Sequence, residues 1–430
     1  MTTYRVPYNR TQLAFSIPDL FHVEVLAPAQ IPPAKDPSRA VIDALTRPVG
    51  EFDWSRFAHA KSVAIAINDK TRPVPLATLL PPLLQRLTDI GIAADAITLI
   101  AATGTHAPMT EEEFADLLPA EILARYRVVT HDCDDGLNLV HLGETSRGTP
   151  VWINGVFARA EFRIALGNLE PHQFMGFSGG VKSAAVGLAG RETVTRNHSM
   201  MLDPRANIAR YDDNPARQDV EEIGRMIGVH LALNTIVNPA YGAGPNGENK
   251  QIVHVIAGEP RAVMRVGIPR VLELYEQRVA APFDLVVSSP GGHPKDINLY
   301  QAQKALAHAT FVTKLGGTVI LAAACPEGTG SRHYEEWIAD KTSHAQVIET
   351  FKREGYRIGA HKAFQVSRDA SRERVLFVTD LPPDFVRRLL LTPCSSLNDA
   401  LGIALRDLAP GARIGILPYA NATIPVIGNT

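Results

Sequence analysis

Short, continuous apolar segments recur along the chain, and segments with helical spacing separate them. In the first half of the chain these apolar segments include 62–68 (SVAIAIN), 97–102, 127–131 and 162–167. Continuous apolar runs are typical of strands that are buried on both faces of a parallel sheet covered by helices. The intervening segments 75–91 and 110–126 are predicted to be helices, and Thr110 and Glu113 form a capping box at the start of the second.

The second half repeats this organisation. Its apolar segments are 284–288, 318–323, 375–379 and 413–417, and its predicted helices are 298–314, 332–340 and 344–354. Segments 229–237 and 251–256 are predicted to form an antiparallel pair joined by a loop rich in Gly, Pro and Asn at 238–249. We therefore expect two α/β domains with mainly parallel sheets, at 1–280 and 281–430, and an active-site cleft between them. The first domain would carry the cofactor-binding loops and the second would contribute substrate-binding residues.

Composition narrows the class of protein. The chain has 430 residues, 45% of them hydrophobic and 20% charged, with a formal net charge of −2. This balance argues against nucleic acid as the main partner. The cysteines at 133, 325 and 394 are far apart, which suits a reducing compartment and excludes a thiolate metal site. The polar N-terminus lacks the apolar core of a signal peptide, and we find no apolar run long enough for a membrane helix, so we expect a cytoplasmic protein.

Polar motifs follow several of the predicted strands. They are NDKTRP at 68–73, ATGTH at 102–106, GNLEPH at 167–172 and SPGGHPKD at 289–296. In open α/β sheets, ligands bind at the carboxyl ends of the strands. These motifs are therefore expected to meet at one cleft.

The first three motifs hold candidate binding and acid–base groups. Arg72 can bind a carboxylate or phosphate through its guanidinium fork, and Asp69 is placed to orient it. A local surface ion pair explains the same two residues equally well. His106 and His172 follow strands at the expected edge, although an isolated loop histidine is more often structural.

The stretch NLEPHQFMGFSGGVK raises the strongest question about chemistry. Ser178, Gly179 and Gly180 can form a loop that a phosphate approaches closely, with Lys182 as a point charge or nucleophile. The stretch is not a P-loop, and a glycine turn that opens a helix of small residues is the alternative. His198 is a candidate metal ligand further along.

A predicted helix in the second half presents Gln301 and Lys304 on one face. Lys304 can reach an anionic substrate there, whereas a solvated helix face is the simpler interpretation. His106, His172 and His198 can also be imagined as a zinc site, but their spacing matches no standard zinc motif. A Ser-His-Asp hydrolase is disfavoured because the chain has no GxSxG elbow.

Taken together, these motifs resemble the nickel-dependent lactate racemase family. The matching pieces, in order, are DKTRP at 69–73, TGTH at 103–106, NLEPHxFxGFSGGxK at 168–182, RNH at 196–198 and GGxPKDxNLYQAQK at 291–304. The N-terminal VPYNRTQLAFSIP also fits the family's opening strand. Each piece is modest alone, but the ordered set is specific and spans most of the chain.

The resemblance implies a nickel-pincer nucleotide, a pyridinium-3,5-bisthiocarboxylic acid mononucleotide that holds nickel. It also implies a role for each candidate. Lys182 would tether or contact the cofactor, His198 would ligate nickel, and His106 and His172 would be the paired acid–base residues. The substrate side would be formed by Asp69, Arg72, Gln301 and Lys304.

The implied reaction is racemisation or epimerisation of a 2-hydroxy acid. The C2–H bond of such an acid is too weakly acidic for an ordinary side-chain base, whereas an electrophilic cofactor can accept the hydrogen as hydride while a histidine takes the hydroxyl proton. A loose alignment places Phe364 where the family has a tryptophan near the substrate, so lactate is one of several possible substrates. Cofactor-synthesis proteins are the implied partners. A histidine-dependent metallohydrolase and a non-catalytic carboxylate- or nucleotide-binding protein of the same fold remain alternatives.

Overall fold

The chain folds as two α/β units in a computed structural model that describes residues 1–239, 251–357 and 359–428. One unit is Gln30–Leu274, and the other combines Met1–Ala29 with Tyr275–Thr430. The N-terminal segment of the second unit holds the strands β1 (Thr2–Tyr8), β2 (Thr11–Ile17) and β3 (His22–Val25). β1 and β2 form an antiparallel hairpin. Two α/β units confirm the predicted fold class.

The unit at 30–274 is built on a six-stranded sheet in the order β13-β12-β9-β4-β5-β6. Its pairs are parallel except for β12 and β13, whose predicted antiparallel pairing is confirmed. The connecting loop at 240–249 lies outside the described residues. The strands of the unit are β4 (Val63–Asn68), β5 (Ile97–Ala102), β6 (Arg127–Thr130), β7 (Leu139–Glu144), β8 (Pro150–Asn154), β9 (Phe162–Asn168), β10 (Pro171–His172), β11 (Gly176–Phe177), β12 (Leu231–Val237) and β13 (Ile252–Gly258).

Helices cover both faces of this sheet. They are α1 (Pro37–Thr46), α2 (Leu76–Asp89), α3 (Glu111–Leu117), α4 (Ala120–Arg125), α5 (Gly155–Arg159), α6 (Lys182–Ala185), α7 (Arg191–Ser199), α8 (Pro215–Ile227) and α9 (Pro260–Tyr275). β4 shows why its sequence is apolar throughout. Val63 and Ile65 join the core on one face of the sheet, and Ala64 and Ala66 join the core on the other, because successive side chains of a strand point to opposite faces.

The second unit has a parallel six-stranded sheet in the order β18-β17-β16-β15-β19-β3. Its remaining strands are β14 (Glu276–Val279), β15 (Phe283–Ser288), β16 (Thr313–Ala322), β17 (Arg374–Val378), β18 (Thr392–Cys394), β19 (Arg413–Leu417) and β20 (Ile424–Ile427). Its helices are α10 (Leu299–Thr310), α11 (Arg332–Ile338), α12 (His344–Glu354), α13 (Ala360–Ala370), α14 (Pro383–Arg388) and α15 (Leu397–Leu405). Short 3-10 helices occupy Trp54–Phe57, Ala94–Ala96, Met200–Leu202 and Ala420–Ala422.

The observed division of the chain differs from the predicted one at the N-terminus. Residues 1–29 were expected in the first domain, but they belong to the second unit. β3 extends its sheet by pairing with β19, and Phe15 and Ile17 of the hairpin pack in a core with Leu285 and Val287. These contacts join segments far apart in sequence, which local patterns do not reveal.

Two local differences have simple causes. The helix predicted at 110–126 is two helices, α3 and α4, because Leu118 precedes Pro119 and takes an extended conformation. The capping box of Thr110 and Glu113 is present as predicted. Phe364, predicted as a possible pocket wall, is 5% exposed in α13 and stacks on Phe351 with ring centroids 4.7 Å apart. It is therefore a core residue. Among the described residues, we find no helix with the length and apolarity needed to cross a bilayer.

Glu373 makes the stability of the second unit dependent on pH. It is 6% exposed between α13 and β17, and burial raises the pKa of its carboxyl to about 7, although Arg372 lies 3.9 Å away and opposes the shift. A carboxyl with a raised folded pKa contributes full stability below its unfolded pKa and loses it as pH rises through the folded value.

Glu373→Gln is therefore expected to stabilise the protein above pH 7, by at most about 3 kcal/mol, and to match the parent near pH 4. Thermal unfolding of both proteins across this pH range measures the effect. Glu349→Gln, at an exposed position of α12, is the matched control. An equal gap at both pH values would contradict the assignment.

Candidate active site

A cavity of about 150 Å³ lies in the unit at 30–274, beside the carboxyl ends of β4, β5 and β9. These strands are neighbours in the sheet, so the loops that follow them meet at one edge. Among the predicted site residues, those that line the cavity are Asp69, Arg72, His106, His172, Ser178, Gly179, Lys182 and His198. The structure thus brings together groups that are spread over about 130 positions of sequence.

His106 is held by a buried carboxylate. Its Nδ1 lies 2.8 Å from Oδ2 of Asp69 and 3.2 Å from Oγ1 of Thr71, and the Thr71 hydroxyl donates to Oδ1 of Asp69 at 2.8 Å. Because an ionised carboxylate only accepts hydrogen bonds, Nδ1 of His106 carries the proton in this pair. The neutral ring of His106 then has its lone pair on Nε2, as a general base requires.

The Asp69 carboxyl stays ionised in this arrangement. Asp69 is 3% exposed, and burial alone raises its pKa, but the hydrogen bonds from His106 and Thr71 outweigh burial and leave the pKa lowered. The predicted role of Asp69 in orienting Arg72 is not what its side chain does. Arg72 instead donates from its guanidinium to the Thr71 carbonyl at 3.0 Å.

His172 and His198 both contact one aromatic ring. The Phe174 ring makes edge contacts with both, with centroids 4.9 Å from His172 and 5.0 Å from His198. Nδ1 of His172 accepts a hydrogen bond from the Met175 amide at 3.3 Å, so its neutral ring carries the proton on Nε2. The two loop histidines therefore hold opposite tautomers. Sequence reasoning did not single out Phe174, although it lies inside the quoted motif.

The glycine loop is shaped by its neighbours. Gly179 and Gly180 have φ angles of 88° and 59°, and an added Cβ at Gly180 would lie 2.9 Å from Nη2 of Arg217. The Gly180 amide donates to Oδ1 of Asn234 at 2.7 Å, and the Ser178 amide donates to the Glu170 carbonyl at 2.8 Å. These two backbone amides already have acceptors within the protein, so the prediction that they would bind a phosphate is wrong. Ser178 and Gly179 still line the cavity.

Lys182 opens α6 directly after this loop. Burial of its amine, together with the nearby positive charges of Arg72 and Arg217, lowers the pKa of Lys182 to about 7, against the opposing effect of Glu170 and Asp69. At neutral pH a large share of this amine is therefore unprotonated. An unprotonated lysine amine is a nucleophile, which is one of the two roles that the sequence left open for this position.

The described residues do not form a zinc site from the three histidines. In that part of the chain the only set of three His, Cys, Asp or Glu ligand atoms within 4.8 Å of one another is Asp132, Cys133 and Asp134. These residues do not line the cavity, and Asp134 is paired with Arg191. The geometry therefore gives no support to a three-histidine hydrolase.

Comparison with known proteins places this chain in a family. The sequence matches two family models, the Lactate racemase N-terminal domain over residues 8–209 and the Lactate racemase C-terminal domain over residues 279–424. A curated lactate racemase from Lactiplantibacillus plantarum is 31% identical over 87% of this chain and 88% of its own length. This chain belongs to the lactate racemase family. It is accordingly an enzyme of the isomerase class, a racemase.

Other relatives agree with this family membership. A lactate racemase from Thermoanaerobacterium thermosaccharolyticum is 27% identical over 97% of this chain and 98% of its own length. The solved structure of the lactate racemase apoprotein from that organism is similar with a TM-score of 0.90, covering 99% of this chain and 100% of that one. A structure from Thermotoga maritima, at 19% identity and a TM-score of 0.65, shares the fold.

The second unit holds the remaining candidates of this lactate racemase family member. Gln301 and Lys304 lie on α10, whose first turn is capped by Asn298. Nζ of Lys304 donates to Oε1 of Gln301 at 2.8 Å, which confirms that the two share a helix face. Their binding of substrate stays a prediction.

Two further polar groups line the cavity. Oδ1 of Asn68 and Oγ of Ser183 are buried and have no hydrogen-bond partner in the described part of the chain. Buried polar atoms are normally satisfied, so such atoms at a cavity point to a ligand or water. Their positions in the sequence could have indicated a role at the site, since Asn68 ends β4 and Ser183 follows Lys182. Sequence reasoning missed them because neither residue type has specific chemistry of its own.

Proposed function

We propose that this chain racemises lactate or a closely related 2-hydroxy acid with a nickel-pincer nucleotide as cofactor. The observation that carries the proposal is one cavity lined by an Asp69-bound histidine, a second histidine of opposite tautomer, a lysine of lowered pKa and a third histidine. The family membership supports the same reaction, because the curated relatives are named lactate racemases.

The residues present fit the proposed cofactor by their chemistry. The Lys182 amine can contact or bond an acyl arm, and the imidazole of His198 is a suitable ligand for nickel. The buried, unpartnered oxygens of Asn68 and Ser183 offer hydrogen bonds to its polar groups. When bound, the cofactor supplies an electrophilic carbon that accepts the C2 hydrogen together with its electron pair.

The protein groups manage the substrate's proton and charge. Nε2 of His106 accepts the proton of the substrate hydroxyl for one enantiomer. His172 serves the other after its ring has changed tautomer, because the 3.3 Å hydrogen bond from the Met175 amide makes Nδ1 the acceptor and leaves the proton on Nε2. The guanidinium of Arg72 binds the carboxylate of the substrate, and Gln301 and Lys304 also bind the substrate. Asp69 holds the His106 ring in the tautomer that can accept a proton and stabilises the imidazolium that results.

A substitution of Asp69 distinguishes a residue that positions His106 from a residue that binds the substrate. Asp69→Asn keeps the size of the side chain but removes its charge, so we expect kcat for racemisation to fall by roughly 10²-fold or more, as in other Asp–His pairs. KM should change by no more than a few-fold. Steady-state kinetics measure both constants. A large rise in KM at nearly unchanged kcat would return Asp69 to the substrate-binding role that the sequence predicted.

The proposed function is tested with protein produced alongside cofactor-synthesis proteins, which are the expected partners. Chiral chromatography of lactate and a panel of other 2-hydroxy acids measures inversion, and elemental analysis measures nickel. We expect both activity and nickel, with neither in protein made without those partners. Stoichiometric nickel and no inversion of any acid would instead indicate a binding protein, and stoichiometric zinc with hydrolytic activity would indicate the hydrolase.

A further inference from the structure

Arg217 is the largest fully buried side chain of the molecule's described part, and it lies beneath the glycine loop. From α8 its guanidinium donates to the carbonyls of Phe177 at 3.0 Å and Gly179 at 3.2 Å. It also pairs with the Glu221 carboxylate, with Nε to Oε1 at 3.0 Å and Nη2 to Oε1 at 2.5 Å. One cation thus binds two backbone carbonyls of the segment that leads to Lys182.

The fit between this arginine and the loop is close. A Cβ on Gly180 would lie within 2.9 Å of Arg217, and the Lys182 amide donates to the same Gly179 carbonyl that Arg217 holds. The residue before Lys182, Val181, packs in the apolar core with Val220 of the helix that carries Arg217. Arg217 therefore bears on the position of the Lys182 backbone through the Gly179 carbonyl that both groups bind.

The same cation acts on Lys182 through its charge. A protonated amine in a partly desolvated place next to a second cation is unfavourable, so the neutral amine is preferred. The groups that bear on this amine are Arg72 and Arg217, which favour the neutral form, and Glu170 and Asp69, which favour the charged form. Arg217 lies in the interior, where solvent screens its charge less than that of a surface residue.

We propose that Arg217 is a positioning residue of the site, which holds the loop of Ser178, Gly179 and Gly180 in place and keeps Lys182 as a neutral, nucleophilic amine. This deepens the proposed function, since it rests on Lys182 as the residue that contacts the cofactor. Its test needs no cofactor, because the reactivity of Lys182 belongs to the chain itself.

The probe is acetic anhydride, applied in trace amounts to the full-length apoprotein across a range of pH. The unprotonated amine attacks a carbonyl carbon, the new N–C bond forms as acetate leaves, and the amine loses its proton to solvent. Mass spectrometry of the peptide containing Lys182 gives the rate of acetylation, and exposed Lys35 in the same chain is the internal reference.

Three variants distinguish the effect of the Arg217 charge on Lys182 from its effect on the structure of the glycine loop. Arg217→Gln removes the cation, so the titration of Lys182 should move to higher pH, and a rise of one pKa unit lowers its labelling rate at pH 7 about fivefold. Glu221→Gln breaks the same buried pair but keeps the cation, so labelling should be as fast as in the parent or faster. Arg217→Lys keeps the positive charge but lacks the planar guanidinium group, and Lys182 in this variant should be acetylated at most of the parent rate.

The outcomes are distinct. Slower labelling in both Arg217→Gln and Glu221→Gln would mean that the pair only orders the loop, and unchanged labelling in Arg217→Gln would mean that Arg217 does not act on Lys182; either result overturns the proposal. If Arg217→Gln fails to fold, Glu221→Gln still decides, because slower labelling there contradicts the expected sign. Parent labelling with a normal Lys182 titration would overturn the proposal without touching the racemase assignment, which is measured separately.

Discussion

Replacing His106 with alanine is expected to lower kcat/KM for racemisation about 10²–10⁴-fold, the usual cost of losing a general acid–base group. The Asp69 carboxylate binds Nδ1 of this ring, which leaves Nε2 to exchange the proton, and the Asp69 carboxylate does not replace that nitrogen when the ring is removed. Because the equilibrium constant of racemisation is one, kcat/KM must fall by the same factor from either enantiomer. Initial rates from L- and D-lactate measure this directly.

Controls distinguish a lost base from a damaged site. His141→Ala removes an exposed histidine that packs against Trp152 outside the cavity, and it should leave the rate unchanged. Added imidazole should partly restore His106→Ala, because the side chain is 47% exposed and the space it leaves is open to solvent. A His106→Ala enzyme that keeps more than about a tenth of the parent rate would refute the assignment.

His198→Ala should act on the metal instead of the proton. Loss of the proposed nickel ligand is expected to weaken nickel retention by more than the roughly 10–100-fold that loss of an outer-shell partner costs. Racemisation should fall in proportion to the nickel lost. Elemental analysis after gel filtration of the loaded protein, alongside activity, measures both quantities.

The matched variant is His172→Ala, which removes the other histidine in contact with the same Phe174 ring. It should keep nickel at the parent level while losing activity, because His172 is proposed to handle a proton only. If His198→Ala retained nickel and His172→Ala lost it, the roles of the two histidines would have to be exchanged. Loss of nickel in both would point to general disruption around Phe174.

The sequence predicts the sheets well because strands such as β4 are buried on both faces and are therefore apolar at every position. It predicts most of the cavity because neighbouring parallel strands bring their carboxyl ends together. What it misses depends on tertiary contacts. Nothing local to 1–29 reveals that β3 pairs with β19 almost 400 positions away, and nothing local to Gly180 reveals the amide acceptor on Asn234.

The role of Asp69 shows the same limit at the level of one side chain. Its spacing to Arg72 is typical of an ion pair, yet its carboxylate bonds His106, a residue of the next strand's loop. Phe364 likewise reads as a pocket wall in a loose alignment, whereas packing against Phe351 buries it. Sequence identifies which residues carry chemistry, but their hydrogen-bond partners decide which chemistry each performs.

We expect this racemase to invert C2 without releasing its hydrogen to solvent. We would follow L-lactate by ¹H NMR in D₂O with the loaded enzyme, with apoprotein as the control, and resolve the enantiomers chirally at intervals. We expect D-lactate to appear with protium retained at C2, because the hydrogen leaves and returns with its electron pair while the histidines handle only the hydroxyl proton. Deuterium at C2 of the inverted product would show exchange through a solvent-equilibrated base and would contradict the proposed chemistry.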